Sequence, residues 1–226
     1  MKGLKELEKY LGYEFKNIKL LENALMHTSY AHERGKSVKS NERLEFLGDS
    51  VLSLAVSKKI YSFQPEISEG NMSKVRAAIV CEESLYEAAL RLHYDEFILL
   101  GKGEEKLRGN KKPSILADAF EAVLAAIFLD SDFQTAQEFV IRNLEEKIIQ
   151  EIQSAGGKDH KTKLQELLQG RGVERIVYEI VAENGPDHHK EYVAVVKIKD
   201  KVLGQGKGNN KKEAEQNAAC EALSNV

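Results

Sequence analysis

The segment Asn41-Glu42-Arg43-Leu44-Glu45-Phe46-Leu47-Gly48-Asp49 carries a helical pattern with two distinct faces. At 100° per residue, three carboxylates, Glu42, Glu45 and Asp49, fall within about 60° of one another. Apolar side chains cluster on the opposite side; they are Leu44, Leu47, Val51 and Leu54. The pattern predicts a helix that packs by one face and presents a stripe of carboxylates on the other.

Taken alone, such a stripe is an ordinary solvated acidic face of a surface helix. A second segment, residues 116–122, changes this interpretation because Asp118 and Glu121 stand one turn apart among alanine, leucine and phenylalanine. A solvated face would also carry Lys, Gln or Ser, whereas this composition indicates close packing. Carboxylates that enter a buried helix need partners, and a metal ion is an efficient one.

The two carboxylate segments predict the kind of metal and its chemistry. Carboxylate oxygens, with no Cys or His cluster nearby, favour Mg²⁺ or Mn²⁺ over zinc. Such ions lower the pKa of bound water and stabilise charge on phosphoryl and leaving oxygens. Chemistry of this kind requires no side-chain nucleophile.

The pattern of secondary structure that the sequence predicts changes once along the chain. Residues 1–153 show helical periodicity, with breaks at 35–40, 64–70 and 101–113, and predict an all-α domain. Residues 154–157 look like a flexible linker. In residues 158–226 the pattern predicts a helix at 161–169, strands at 176–182, 192–199 and 202–206, and a last helix at 210–224 that Asn210 caps. This is a small α+β domain in the order α-β-β-β-α.

Composition restricts compartment and partners only in part. The net charge is -3, so bulk charge gives no support for nucleic-acid binding, and the placement of the basic residues must decide. The longest strongly apolar stretch, residues 122–129, is too short to span a bilayer. Cys81 and Cys220 are isolated, which is typical of a reduced, cytoplasmic protein and not of a disulfide framework.

Three segments of residues 1–153 resemble those of bacterial ribonuclease III. Residues 41–49 are similar to the family's signature segment, residues 118–121 to its second acidic motif, and residues 69–77 to its middle segment. The resemblance covers essentially the whole chain. It implies a dimeric, Mg²⁺-dependent, all-α nuclease domain that hydrolyses both strands of duplex RNA. The expected products carry 5′-phosphate and 3′-hydroxyl ends with short 3′ overhangs, and the family processes ribosomal and messenger RNA precursors.

The resemblance also implies roles for individual residues. The implied metal ligands are Glu45, Asp49, Asp118 and Glu121, with Asp49 and Glu121 as catalytic residues. Glu42 and Glu69 would be auxiliary acids near the scissile bond or would contact RNA across the dimer; the alternative is surface charge. Phe46 resembles the family's dimer-interface aromatic, although a phenylalanine on a helix is more often part of the core.

Residues 158–226 resemble a double-stranded RNA-binding domain at its three contact regions. The residues that the resemblance assigns to RNA contact are Gln165 and Glu166 in the first helix, His188 in the loop after the first strand, and Lys207, Lys211 and Lys212 around the start of the last helix. Alone, two lysines at a helix start are a solvated face. At a helix N-terminus in this domain they favour phosphate binding, because A-form RNA is recognised through phosphates and 2′-hydroxyls.

Three hypotheses remain open from the sequence. The first is a homodimeric, Mg²⁺-dependent endoribonuclease specific for duplex RNA, in which each of two symmetry-related clusters cuts one strand. The second is a non-catalytic duplex-RNA-binding dimer, against which the complete acidic set counts. The third is a metal-dependent phosphohydrolase of small nucleotides, which leaves residues 158–226 unexplained.

Overall fold

The computed structural model describes residues 3–35, 37–63, 67–156, 160–173, 175–185 and 190–226. Contacts between residues divide the chain into two compact units, Met1–Gln153 and Ser154–Val226. No helix among the described residues is long and apolar enough to cross a bilayer.

The described part of the first unit is helical, as the sequence predicts. Its α-helices are α1 (Leu4–Leu11), α2 (Ile18–Ala24), α3 (Thr28–Arg34), α4 (Glu42–Tyr61), α5 (Glu69–Ile79), α6 (Glu82–Arg91), α7 (Lys102–Lys106), α8 (Pro113–Asp130) and α9 (Phe133–Gly156). Short 3₁₀ turns at Tyr94–Glu96 and Gly109–Lys111 lie on either side of α7.

Helix α8 forms the centre of the first unit, and α2, α4 and α6 pack around it. Its sequence is almost entirely Ala, Leu, Ile, Val and Phe, and a helix that is apolar on all sides is stable only when it is surrounded. Phe120 is fully buried between the rings of Tyr94 and Phe139, with centroids 6.3 and 5.7 Å away. Asp118 and Glu121 are therefore carried by the most buried element of the unit.

A backbone hydrogen bond anchors the start of helix α4. The face by which the helix packs differs slightly from the predicted one. The buried Asn41 precedes it, and its backbone N–H donates to Met26 O at 2.8 Å. Leu44 and Val51 are buried as predicted, but the prediction is wrong for Leu54, which is 56% exposed. The packed face is centred near Gly48, Leu52 and Ala55, so Leu54 lies about 120° away from it around the helix.

The second unit confirms the predicted α-β-β-β-α order. Helix α10 (His160–Gly170) is followed by β1 (Val177–Asn184), β2 (Glu191–Ile198), β3 (Lys201–Gly208) and α11 (Lys211–Asn225). The strands form an antiparallel sheet in the order β1-β2-β3. The core lies between this sheet and the two helices; its buried residues are Leu164, Leu168, Ala194, Val196, Ala214, Ala218, Ala219 and Ala222.

Strand β3 extends two residues beyond its predicted end, and its glycines belong to the sheet. A Cβ on Gly206 would stand 2.1 Å from the backbone nitrogen of Ala218, and one on Gly204 would stand 2.5 Å from Ala218 O. Alanines of α11 thus rest directly on the backbone of β3, an approach that glycine permits.

The sequence of residues 154–157 resembles a flexible linker, but the structure corrects this expectation for residues 154–156. Helix α9 continues through Gly156, while residue 157 lies outside the described residues. The apolar stripe Leu144, Ile148 and Ile152 is buried along this helix. Each residue added to an existing helix costs little, so Ser154 and Ala155 extend it.

Candidate active site and nucleic-acid interface

Helices α4 and α8 cross with their backbones in contact at Gly48. A Cβ built on Gly48 would stand 2.0 Å from the carbonyl oxygen of Glu121 and 3.0 Å from its Cα. Gly48 is buried, and no larger residue fits this approach. The carboxylates that flank Gly48 on α4 are therefore held beside those of α8.

The four carboxylates predicted to bind metal form one electrostatic cluster at this crossing. Glu121 interacts with the charges of Asp49, Glu45 and Asp118, and Glu45 also interacts with Asp118. Within the described residues, no Lys, Arg or His forms an ion pair with any of these four side chains. The cluster therefore concentrates negative charge without an internal counter-ion.

Burial and like charge perturb the protonation of this cluster. Burial, followed by the nearby charges of Asp49, Glu45 and Asp118, raises the pKa of Glu121 to about 8. Burial is also the main cause that raises the pKa of Glu45 and of Asp118 above their ordinary values. A strongly shifted carboxyl such as that of Glu121 is typical of functional sites.

The four carboxylates lie near one another but are not arranged with the geometry of metal ligands. In the part of the chain that the structure describes, no group of three or more His, Cys, Asp or Glu side chains is arranged to hold a metal ion. The donor chemistry nevertheless fits Mg²⁺, which prefers carboxylate oxygens and retains several waters.

Glu42 lies at the edge of the cluster. It is the first residue of α4, accepts a hydrogen bond from the Ser40 hydroxyl, and interacts electrostatically with Glu45. It also faces the half-buried His27, whose pKa is lowered mainly by burial. Glu42 therefore lies within electrostatic range of the cluster, and its auxiliary role stays a prediction.

Sequence reasoning missed two residues near the cluster. Glu82, the first residue of α6, is the charge that acts on Asp118 in addition to burial. His27 caps α3, since the Ser29 backbone N–H donates to its Nδ1 at 3.3 Å, and it interacts with Glu42. Neither residue belongs to a spaced motif, so only the packing of α3 and α6 could reveal them.

Glu69 lies in a different place from the cluster. It lines a mainly apolar groove between α4 and α5 whose other lining residues are Leu54, Ser57, Lys58, Ile60, Tyr61, Met72, Ser73 and Arg76. This part of α4 begins one to two turns beyond Asp49, at about 1.5 Å per residue. Within one copy of the chain the structure does not bring Glu69 to the four carboxylates.

Phe46 is a surface residue and does not belong to the core. It is 79% exposed, as is Tyr61, and Leu54 is 56% exposed. By helical spacing these three side chains fall within an arc of about 80° on α4. They form an exposed apolar stripe that leads from the carboxylate cluster towards the groove.

The residues expected to contact RNA are exposed on the second unit. Gln165 and Glu166 project from α10, and Lys207, Lys211 and Lys212 from the end of β3 and the start of α11. Asn210 caps α11 as predicted, because its side chain accepts from the Glu213 backbone N–H at 2.9 Å. His188 lies outside the described residues.

Two of these lysines have carboxylate partners within the same unit. Lys211 Nζ lies 3.1 Å from Glu183 Oε1, and Lys207 Nζ lies 3.2 Å from Glu191 Oε2. Lys211 also lies over the ring of Tyr192, 5.6 Å from its centroid. These pairs join the predicted phosphate-binding residues to the end of the sheet where β1 and β2 meet.

Family models match both units. A model described as Ribonuclease-III-like matches residues 17–148, and the double-stranded RNA binding motif matches residues 160–226. The first match covers more than half of the chain and contains the four clustered carboxylates. The second contains the three exposed lysines.

Curated relatives and solved structures agree with these matches. Ribonuclease 3 of Caldanaerobacter subterraneus is 48% identical over 97% of this chain and 96% of its own length. Ribonuclease 3 of Clostridium tetani is 45% identical over 99% and 94%. The nuclease domain of ribonuclease III from Campylobacter jejuni, 42% identical, superposes with a TM-score of 0.60 over 64% of this chain and 98% of its own. The chain therefore belongs to the ribonuclease III family of endoribonucleases, with a nuclease domain followed by a double-stranded RNA-binding domain.

Proposed function

We propose that the protein is a Mg²⁺-dependent endoribonuclease that hydrolyses both strands of duplex RNA. The observation that carries this proposal is the contact of Gly48 with Glu121, which gathers four carboxylates from α4 and α8 at one place. A partly buried cluster of like charges is costly unless a cation or protons compensate it. The family match supplies the reaction class, and the cluster supplies a place for it.

In this proposal Glu45, Asp49, Asp118 and Glu121 hold the Mg²⁺. When bound there, the ion would supply the chemistry that lowers the pKa of water and offsets the charge that develops on the phosphoryl and leaving oxygens. Burial and nearby charge raise the pKa of Glu121 to about 8. This carboxyl must therefore release its proton before both of its oxygens can bind the metal ion. Glu42 and Glu82 add negative charge at the edge of the site, which attracts a divalent cation.

The proposed reaction breaks the phosphodiester on the 3′-oxygen side of the phosphorus. A water oxygen bonds to the phosphorus, and the bond from phosphorus to the 3′ oxygen breaks. The 3′ oxygen takes up a proton and leaves as a hydroxyl, so the other fragment keeps a 5′-phosphate. No side chain becomes covalently attached to RNA, which agrees with a cluster built of carboxylates alone.

The substrate is proposed to be a duplex because of the second domain. A-form RNA presents phosphates and 2′-hydroxyls at a fixed spacing and hides its base edges in a narrow major groove. The capped N-terminus of α11, with Lys211 and Lys212 exposed beside it, offers backbone donors and positive charge for phosphate. Gln165 and Glu166 offer hydrogen-bonding groups for a minor groove.

The working form is proposed to be a homodimer. The structure of the Campylobacter jejuni nuclease domain is described as showing flexibility in a region involved in dimer formation. In this chain, exposed Phe46 and the groove lined by Leu54, Tyr61 and Met72 are complementary apolar features on one surface. In a two-fold dimer each copy would place Phe46 in the partner's groove, beside Glu69. Two active sites in one dimer would cut the two strands at offset positions and leave short 3′ overhangs.

The wider biological setting is proposed from the family. Ribosomal and messenger RNA precursors contain the duplex segments that such an enzyme would cut. The two cysteines, Cys81 and Cys220, are both free and exposed, which suits a reducing, cytoplasmic setting.

A direct test compares cleavage of a perfect RNA duplex by three forms of the full chain with Mg²⁺. The wild type and Glu138→Gln, which neutralises an exposed carboxylate on α9, should cut at the same rate. Glu121→Gln should be slower by at least about a hundredfold, the order expected for loss of a group that acts on the transition state. End-labelled products should carry 5′-phosphates.

Other outcomes would assign another function. Binding of duplex without cleavage by the wild type would identify a non-catalytic RNA-binding dimer. Turnover of small nucleotides with intact duplex would identify a phosphohydrolase. Equal rates for the wild type and Glu121→Gln would remove the carboxylate cluster from the reaction.

A further inference from the structure

The end of the sheet next to α11 contains an acidic residue that the proposed function does not use. We propose that Glu183 limits the affinity of the protein for RNA, because it competes with RNA phosphate for Lys211. This inference rests on the proposed role of Lys211 in binding phosphate. It assigns a function to a carboxylate that would otherwise be surface charge.

A β-bulge gives Glu183 its position. Tyr178 and Ile180 pack on the helical side of the sheet, and strict alternation would place Glu183 on the opposite side, together with Val181. The register between β1 and β2 shifts between Ile180 and Ala182, so that Glu183 pairs with Tyr192, a residue of the helical side. Bulges are a known means of redirecting a side chain next to a functional surface.

The redirected carboxylate meets the first residue of α11. Glu183 Oε1 lies 3.1 Å from Lys211 Nζ, and both side chains are accessible, at 42% and 61%. The ring of Tyr192 lies under the same ammonium group and contributes weakly through its π face. Lys211 is therefore held by neighbours of the sheet, in a solvent-exposed position where the pair can open.

RNA binding must disturb this pair in one of two ways. If phosphate replaces Glu183, the ion pair is lost, which for an exposed pair changes an equilibrium constant by at most about fivefold. If Lys211 keeps both partners, Glu183 and the phosphate stand close together with like charge. Both routes make the contact at Lys211 weaker than a lysine without a carboxylate partner would give.

Neighbouring lysines provide an internal comparison. Lys207 has the same kind of partner in Glu191, whereas Lys212 forms no ion pair among the residues that the structure describes. Lys212 would therefore bind phosphate without losing an ion pair. Lys207 and Lys211 would each have to give up a carboxylate partner. The two carboxylates thus lower the affinity of this surface for any polymer of phosphates.

The test is a double-mutant cycle on the full chain, with dissociation constants for a duplex RNA measured in chelator and the RNA checked for integrity afterwards. Glu183→Gln should tighten binding about threefold, and Lys211→Ala should weaken it. In the Lys211→Ala background the gain from Glu183→Gln should fall below about 1.5-fold, because interacting residues are not additive.

The matched control is Glu179→Gln. Glu179 lies on the same strand, is exposed, and pairs with Lys197 at 2.6 Å, away from the start of α11. The control changes net charge equally and should leave the affinity within about 1.5-fold of wild type, because it removes no competitor for phosphate. Glu183→Ala provides a second variant whose affinity should change in the same direction as that of Glu183→Gln.

The outcomes separate the two proposals. If Lys211→Ala leaves the affinity unchanged, the proposed role of Lys211 in RNA binding fails, and the inference about Glu183 fails with it. If Lys211→Ala weakens binding but Glu183→Gln leaves it unchanged or weakens it, Glu183 does not compete and only the inference is overturned. Equal tightening by Glu179→Gln would also overturn it, since net charge would then explain the gain.

Discussion

Gly48 and Glu121 are in backbone contact, and this contact is what places the acidic residues of α4 beside those of α8. The Glu121 carbonyl oxygen occupies the space where a Gly48 Cβ would stand, at 2.0 Å. Asp49 and Glu121, which lie beside this contact in sequence, interact electrostatically. The geometry of the site therefore depends on the absence of one side chain in α4.

We expect Gly48→Ala to separate α4 from α8 and to damage both stability and cleavage. The added methyl group meets backbone atoms, which cannot rotate away, so we expect a loss of about 3 kcal/mol in the free energy of unfolding, the upper range for overpacking. Cleavage of duplex RNA should fall at least about tenfold in protein that remains folded, because small displacements of catalytic groups are costly.

Chemical denaturation and single-turnover cleavage would measure these two effects. Gly70→Ala is a suitable control, since a Cβ on Gly70 meets nothing within 4 Å. A Gly48→Ala protein as stable and active as the control would show that the contact does not set the site.

We expect Glu121→Gln to stabilise the protein at alkaline pH when divalent ions are chelated. Burial raises the pKa of Glu121 to about 8 in the folded state, against about 4.3 in an unfolded chain. Between these values the folded state holds a proton that the unfolded state has released. This carboxyl therefore contributes a loss of stability as pH rises from about 4.3 to about 8.

Glutamine at position 121 removes that pH-dependent loss. After a reduction for solvent screening, the gain should be about 1–2 kcal/mol above pH 8 and should vanish near pH 4. Urea unfolding across this pH range would measure it, with Glu138→Gln as the control that shows no trend. A variant less stable than wild type at pH 8.5 would contradict the electrostatic description of the cluster.

Mg²⁺ should stabilise the wild type through the same four carboxylates. A ligand that binds only the folded state at about one hundred times its dissociation constant adds about 2.7 kcal/mol. We expect Asp118→Asn and Glu121→Gln to lose most of the increase in melting temperature that Mg²⁺ produces, while Glu138→Gln keeps it. The comparison is made against NaCl at equal ionic strength, and an equal increase in all four proteins would place the ion elsewhere.

The local features of the site could be predicted from sequence, because they follow from helical spacing. Glu42, Glu45 and Asp49 share one face at intervals of three and four residues, as do Asp118 and Glu121. The crossing of α4 and α8 could not be predicted in this way. It depends on a contact between residues 48 and 121, which are far apart in sequence, and helical periodicity describes only residues close in sequence. For the same reason His27 and Glu82, carried by α3 and α6, were not found.

The second domain shows where strand patterns mislead. Alternation predicted three strands, but the bulge between Ile180 and Ala182 reverses the side on which Glu183 lies. Bulges insert a residue without a clear compositional signal. The predicted third strand ended at residue 206, whereas β3 continues to Gly208 and its glycines admit the backbone of α11.

We expect Phe46→Ala to shift the protein from dimer to monomer. Phe46 is 79% exposed, so its removal from a monomer would cost almost no stability, whereas a buried aromatic anchor at an interface is worth about 2 kcal/mol or more. Sedimentation equilibrium would show a dimer dissociation constant raised at least about thirtyfold. Leu129→Ala, which removes another exposed apolar side chain on α8, is the control and should not alter the constant. A Phe46→Ala dimer as tight as the control would exclude Phe46 from the interface.

Lys212 offers the simplest measure of phosphate contact in the RNA-binding domain, because no carboxylate of the described residues competes for it. Each lysine that neutralises a phosphate releases counter-ions, so the logarithm of the binding constant falls with the logarithm of salt concentration by about 0.9 per contact. We expect Lys212→Ala to weaken duplex binding and to reduce this slope by nearly one unit. Lys197→Ala removes a lysine that is paired with Glu179 on the sheet, and its slope should match that of the wild type. An unchanged slope in Lys212→Ala would mean that RNA does not reach the start of α11.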